Sequence, residues 1–167
     1  MKVKTVALFL TTVLVSLIVI VLWSINHSKN KLLIDQKQIP EFVFETLEGK
    51  PYSRDSISYN TGEIAICHFD PDCHYCVDLA NNISKLSVNE MKIPLIMVSS
   101  AKVDRVIAFC DSYNLQKFPS ITILVDVKHQ FSKYFGSNKV PVTYYYKNSI
   151  LNTVFQGEAD INFLTKH

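Results

Sequence analysis

The feature that most constrains this chain is Cys73-His74-Tyr75-Cys76, a pair of thiols at the junction of two differently patterned runs. Before it, Ile64-Ala65-Ile66-Cys67-His68-Phe69 has the length and β-branched character of a buried strand. After it, Leu79, Ala80, Ile83 and Leu86 recur at the spacing of one helix face. A dithiol at such a corner is well placed for reversible disulfide chemistry. The helix N-terminus carries partial positive charge, which favours a thiolate on the leading cysteine. That thiolate is the nucleophile, and the second thiol is close enough to resolve a mixed disulfide.

The remaining pattern alternates strands with helices. Pro40 to Leu47 alternates apolar and polar residues and ends at Glu48-Gly49-Lys50, which predicts an edge strand leading into a hairpin. Ile93 to Val98 has the character of a central strand, and Ser120 to Asp126 of another. Between them, Lys102 to Tyr113 predicts a helix with Val103, Val106, Ile107 and Cys110 along one face. Lys128 to Phe135 predicts a short helix, Val142 to Tyr146 and Ile150 to Phe155 a hairpin, and Ala159 to Leu164 a closing helix. Such alternation implies an α/β layer fold with a mixed central sheet.

The N-terminus has a different composition. Thr5 to Asn26 carries no charge and is mostly Val, Leu and Ile. At roughly 1.5 Å rise per residue, about 22 residues span a hydrocarbon core of about 30 Å. Trp23-Ser24-Ile25-Asn26-His27 offers no small-x-small cleavage site, so residues 1–26 are expected to be an uncleaved anchor, with the membrane crossed over 5–25. A polar spacer follows over 27–38, and residues 39–167 are long enough for one domain with a real core. Lys2 and Lys4 flank one end of the anchor and Lys29 and Lys31 the other, so the charge rule leaves its orientation nearly balanced. The dithiol favours a single-pass protein whose C-terminal domain faces the periplasm or cell exterior, where disulfides persist. A net charge of +2 gives no case for nucleic acid.

Three segments resemble the thioredoxin superfamily, and most closely its membrane-anchored TlpA/ResA-like thiol–disulfide oxidoreductases. Pro40 to Lys50 is similar to the family's opening strand and hairpin. Phe69-Asp70-Pro71-Asp72-Cys73-His74-Tyr75-Cys76 is similar to its active-site corner, and Lys139-Val140-Pro141 to Asn148 to its cis-proline strand. Phe118 to Asp126, with His129-Gln130-Phe131, resembles the insertion that separates the anchored proteins from plain thioredoxin. The resemblance implies a thioredoxin-like fold preceded by one transmembrane helix. It implies an enzyme that exchanges disulfides with client proteins outside the cytosol, acting as a reductant and supplied by a membrane or extracytoplasmic redox partner. Family members serve cytochrome c maturation or general disulfide reduction. Cys73 and Cys76 would be the catalytic pair, and Val140 and Pro141 the surface that docks an extended client. No cofactor is implied.

Departures from the family pattern are specific. Asp72 stands where thioredoxins carry Trp, and an acid beside a thiolate opposes its formation. His74 and Tyr75 form the intervening dipeptide, and a protonated His74 would act in the other direction. Cys67 occupies the place of the buried acid that serves the resolving thiol in thioredoxin. Cys67 and Cys110 otherwise read as small buried residues, and His68 as a partly buried polar one. Haem attachment would need His where Val77 stands, and a peroxiredoxin would need Thr or Ser where Asp70 stands. A structural zinc site lacks a second ligand pair, so no metal-ligand set is expected. The alternative reading is a copper-handling protein that holds Cu(I) through the dithiol, with His74 beside it.

Overall fold

The computed structural model describes residues 38–58, 62–157 and 161–165, together with Ser16, Leu17 and Ile20, which are helical. Apart from those three positions and Gln38, the expected anchor over 5–25 and the spacer after it lie outside the described residues. Among the described residues, no helix is long and apolar enough to cross a membrane. The chain divides into two units, Met1–Lys37 and Gln38–His167, and all the strands named below belong to the second.

Strand β1 (Val43–Thr46) and β2 (Pro51–Ser53) form a hairpin, followed by β3 (Glu63–Phe69) and helix α1 (His74–Ser84). Next come β4 (Leu95–Ser99), α2 (Val103–Ser112), β5 (Ile121–Val125) and α3 (Phe131–Phe135). Strands β6 (Val142–Lys147) and β7 (Ile150–Gln156) form a second hairpin before α4 (Asn162–Thr165). The strands make one sheet in the order β2-β1-β5-β4-β3-β6-β7. β3, β4 and β5 run parallel in its middle, and every other pairing is antiparallel. The sheet is mixed, as the alternation of elements predicts.

Both faces of the central strands are covered, which is why they read as continuous apolar runs. On one face Ala65, Cys67, Phe69, Leu95 and Met97 pack with Cys76, Leu79 and Ile83 of α1 and with Val106, Phe109 and Cys110 of α2. Successive strand residues point to opposite sides. Ile64, Ile66, Ile96 and Val98 therefore face the other way, onto a core rich in aromatic rings. There Phe42 and Phe44 stack at 5.0 Å, Phe131 and Phe135 at 4.5 Å, and the Tyr144 hydroxyl donates to the Phe135 carbonyl at 2.6 Å.

Three expectations need correction. β1 is not an edge strand: it is paired on one side with β2 and on the other with β5, through Glu45↔Val125 and Thr46↔Leu124. Alternating side chains report one buried face and carry no information about the two hydrogen-bonding edges, and the three-residue β2 takes the edge instead. On α2 the buried set is Val106, Phe109 and Cys110, while Ile107 is exposed. The larger Phe109 ring turns inward against Phe69, with centroids 5.1 Å apart. α3 begins only at Phe131, because His129 has φ 51° and the chain turns from Asp126 before entering the helix.

Candidate active site

The end of β3 and the start of α1 build the dithiol corner. Asp70 closes a short turn: its Oδ1 accepts the Asp72 N–H at 2.8 Å, and its carbonyl accepts the Cys73 N–H at 3.1 Å. Cys73 then takes the N-cap position of α1 with extended backbone, φ −81° and ψ 122°. Its carbonyl accepts the N–H groups of Cys76 and Val77, both at 3.0 Å, and this starts the helix. A cap residue lies half outside its helix while the residue three later lies within the first turn. Cys73 is accordingly half-buried, whereas Cys76 is 1% exposed.

The two thiols differ in surroundings. Cys73 Sγ lies 3.5 Å from the carbonyl oxygen of Val140, which arrives from the loop before β6. The Val140-Pro141 peptide bond is cis. Cys76 Sγ faces the Asp70 N–H at 3.4 Å. Burial pushes the Cys76 thiol well above the ordinary range, the Asp70 N–H acts against that, and the neighbouring Cys73 adds to it. All four cysteines are free thiols. Cys67 is fully buried on the α1 side of β3, and burial pushes its thiol up to about 12; Cys110, in α2, is pushed up to about 12 in the same way. Neither can take a proton from Cys76 near neutral pH, because each holds its own.

Of the other sequence-predicted residues, Asp72, His74 and Tyr75 line the outer rim of the corner. Tyr75 is 53% exposed, and His74 is solvent-facing with Nε2 3.4 Å from Asp78 Oδ2, one helical turn on. Asp72 has a partner that sequence reasoning missed: Arg105, from the first turn of α2, is hydrogen-bonded and ion-paired to its Oδ1. Asp72 in turn raises the Arg105 guanidinium above its usual value. The opposition between Asp72 and a thiolate at Cys73 is therefore reduced at its source. Sequence reasoning also missed the polar company of His68, formed by Ser100, Asp126 and the Lys139 carbonyl. The only signal available was that Ser100 and Asp126 each follow an apolar strand directly. Among the described residues, no three His, Cys, Asp or Glu side chains are grouped closely enough to hold a metal ion.

A parallel core flanked by antiparallel strands is an arrangement found in solved structures. The fold is thioredoxin-like. A secreted disulfide oxidoreductase of Mycobacterium tuberculosis, described as homologous to E. coli DsbE, is similar with a TM-score of 0.61 and 19% identity over 74% of this chain and 91% of that one. A thiol-disulfide oxidoreductase of Bacteroides fragilis is similar with a TM-score of 0.61 and 14% identity, covering 77% and 97%. A thio-disulfide isomerase of Thermus thermophilus gives 0.59 and 16%, covering 75% and 88%. No family model and no curated protein matches the chain by sequence. Within this thioredoxin-like frame, the dithiol lies at the C-terminal end of a parallel strand, where α/β sheets place their sites.

Proposed function

We propose that this protein is a thiol–disulfide oxidoreductase that exchanges electrons with cysteines of client proteins outside the cytosol. The observation that carries the reading is the asymmetry of the dithiol: a half-buried N-cap thiol facing a backbone carbonyl, and a buried thiol one turn behind it. In the reducing direction, the Cys73 thiolate attacks one sulfur of a client disulfide and the other client sulfur leaves as a thiolate. Cys76 gives its proton to the first client thiolate released, attacks Cys73 Sγ and releases the second client thiolate. The client has then gained two electrons, and the protein holds a Cys73–Cys76 disulfide for an extracytoplasmic or membrane redox partner to reduce. Val140 and Pro141 would dock the client as a short extended segment through backbone hydrogen bonds.

The segment over 5–25 would anchor the domain to the cell membrane, with the C-terminal part facing the periplasm or exterior. Support comes from its uncharged length and from the persistence of disulfides outside the cytosol. Service to cytochrome c maturation and a reducing role rest on the family resemblance. The test is trapping: Cys76→Ser should accumulate mixed disulfides with client proteins, while Cys73→Ser should not. Equal trapping by both variants, or by neither, sinks the exchange mechanism. Stoichiometric Cu(I) binding without insulin reduction by the same preparation would move the reading to a copper carrier.

A further inference from the structure

Three polar side chains meet at the C-terminal ends of the three parallel strands. His68 belongs to β3, Ser100 directly follows β4, and Asp126 directly follows β5. His68 is 8% exposed and Asp126 2%. The imidazole points away from Cys67 and lies flat on the Phe131 ring, with centroids 4.2 Å apart and planes 10° from parallel. Its Nδ1 is 3.3 Å from the Lys139 carbonyl oxygen, and its Nε2 is 3.5 Å from Ser100 Oγ. Ser100 Oγ is also 3.4 Å from Asp126 Oδ2, which accepts the Phe131 N–H at 2.7 Å. The chain of contacts thus returns to the residue on which the imidazole is stacked.

Hydrogen-bond chemistry assigns the protons. A carbonyl oxygen only accepts, so the contact with Lys139 requires a hydrogen on Nδ1. The neutral ring then has a bare Nε2 that can accept the Ser100 hydroxyl. Should the ring gain a proton, Nε2–H donates to Ser100 Oγ, and the hydroxyl turns its own hydrogen to Asp126. The bond to Lys139 is kept in both states. Lys139 immediately precedes Val140, whose carbonyl stands opposite Cys73. Two further hydrogen bonds of Lys139, from its backbone N–H to Ser137 Oγ and from its Nζ to Gln156 Oε1, are exposed to solvent.

We propose that His68 is a positioning residue for disulfide exchange: its Nδ1–H fastens the Lys139 carbonyl from inside the fold and so fixes the Val140 backbone opposite Cys73. The proposal rests on the exchange reading above. An apolar ring at position 68 could fill the space and stack on Phe131, but it could not hold the loop. A loosened loop would weaken client docking, which depends on main-chain geometry, and would leave the thiol chemistry alone.

The test compares the full chain, His68→Phe and His68→Asn in detergent micelles, with insulin as the disulfide probe and dithiothreitol as the electron source. Phe keeps the stack and loses the donor; Asn keeps an N–H donor near the Nδ1 position and cannot ionise. His68→Phe should raise KM for insulin about tenfold, the equivalent of losing one buried hydrogen bond, with kcat within about twofold. His68→Asn should restore KM to within about threefold of the parent. Nitrogen-15 spectra of the parent at neutral pH should show His68 protonated at Nδ1 and bare at Nε2. An unchanged KM in His68→Phe, or a bare Nδ1 in the parent, overturns the proposal. Should the Asn variant fail to fold, those two measurements decide alone. Should the parent fail to reduce insulin, the exchange reading falls. Amide exchange at Lys139 and Val140 then decides the fastening: faster in His68→Phe than in the parent supports it, and equal rates overturn it.

Discussion

Arg105 in α2 is ion-paired with Asp72, the residue that immediately precedes the dithiol. The pair links the second crossover helix to the corner built by the first, across 33 residues of sequence. It also answers a conflict in the local sequence, where an acid sits next to the sulfur that must become an anion.

Removing the cation should expose that conflict. Arg105→Gln should slow the attack of Cys73 on a small aromatic disulfide by about two- to fivefold at neutral pH, the range for a solvent-exposed ion pair. The double variant with Asp72→Asn should recover most of the loss, and high salt should shrink the difference. Measurement in a Cys76→Ser background isolates the first step. An Arg105→Gln variant as fast as its parent at low salt would show that the pair has no electrostatic role at the thiol.

Stability should fall at both ends of the pH range, for separable reasons. Burial raises the Cys67 and Cys110 thiols from 9.0 to about 12 in the folded chain. The unfolded chain therefore releases protons that the folded one keeps, so their contribution is full below about pH 9 and is lost as pH rises from there toward 12. Burial lowers His68 below 6.5, although the Lys139 carbonyl, Asp126 and Asp70 act against it. Here the unfolded chain takes up a proton that the folded one refuses. Its contribution is full above about pH 6.5 and declines as pH falls to the folded value. Urea midpoints across pH should show a flatter alkaline limb in Cys67→Ala/Cys110→Ala and a flatter acid limb in His68→Asn. Unchanged limbs in both variants would remove these groups from the account.

Each face of the sheet has its own most sensitive residues. Ile83 is fully buried between α1 and the sheet, and Ile83→Ala should cost about 2–5 kcal/mol through lost transfer energy and the cavity left behind. On the other face, Tyr144→Phe leaves the buried Phe135 carbonyl without its donor and should cost about 1–3 kcal/mol. Denaturant titration gives both values, and neither variant should abolish mixed-disulfide trapping in a Cys76→Ser background.

Topology can be read independently of chemistry. A reporter that works only in the cytosol, fused after His167, should be silent. One that works only outside it should be active. The opposite pattern would remove the extracytoplasmic setting while leaving the dithiol geometry untouched.

The strand-to-helix corner was legible because its signals are local. β-branched residues before the dithiol and an i, i+3, i+4 stripe after it are each set by a single element's geometry. The same locality explains what stayed hidden. The pairing of β1 with β5 depends on backbone edges that side-chain alternation does not encode. Choosing Phe109 over Ile107 for the α2 interface depends on which ring meets Phe69, a contact between elements. Arg105 with Asp72, and Ser100 with His68, are partners 33 and 32 residues apart, and no spacing rule connects such residues before the chain folds.

Cys67 and His68 are adjacent in sequence, yet the pleat of β3 sends the first toward Cys76 and the second toward the loop that carries Val140. Their side chains enter opposite layers, and the Cys67 thiol reaches only the backbone carbonyl of His68, at 3.6 Å, which a substitution at position 68 retains. A single peptide step thereby gives the protein two separate adjustments: one sets the surroundings of the resolving thiol, the other the firmness of the docking ledge. Redox behaviour and client preference could diverge among descendants of this chain without one change undoing the other.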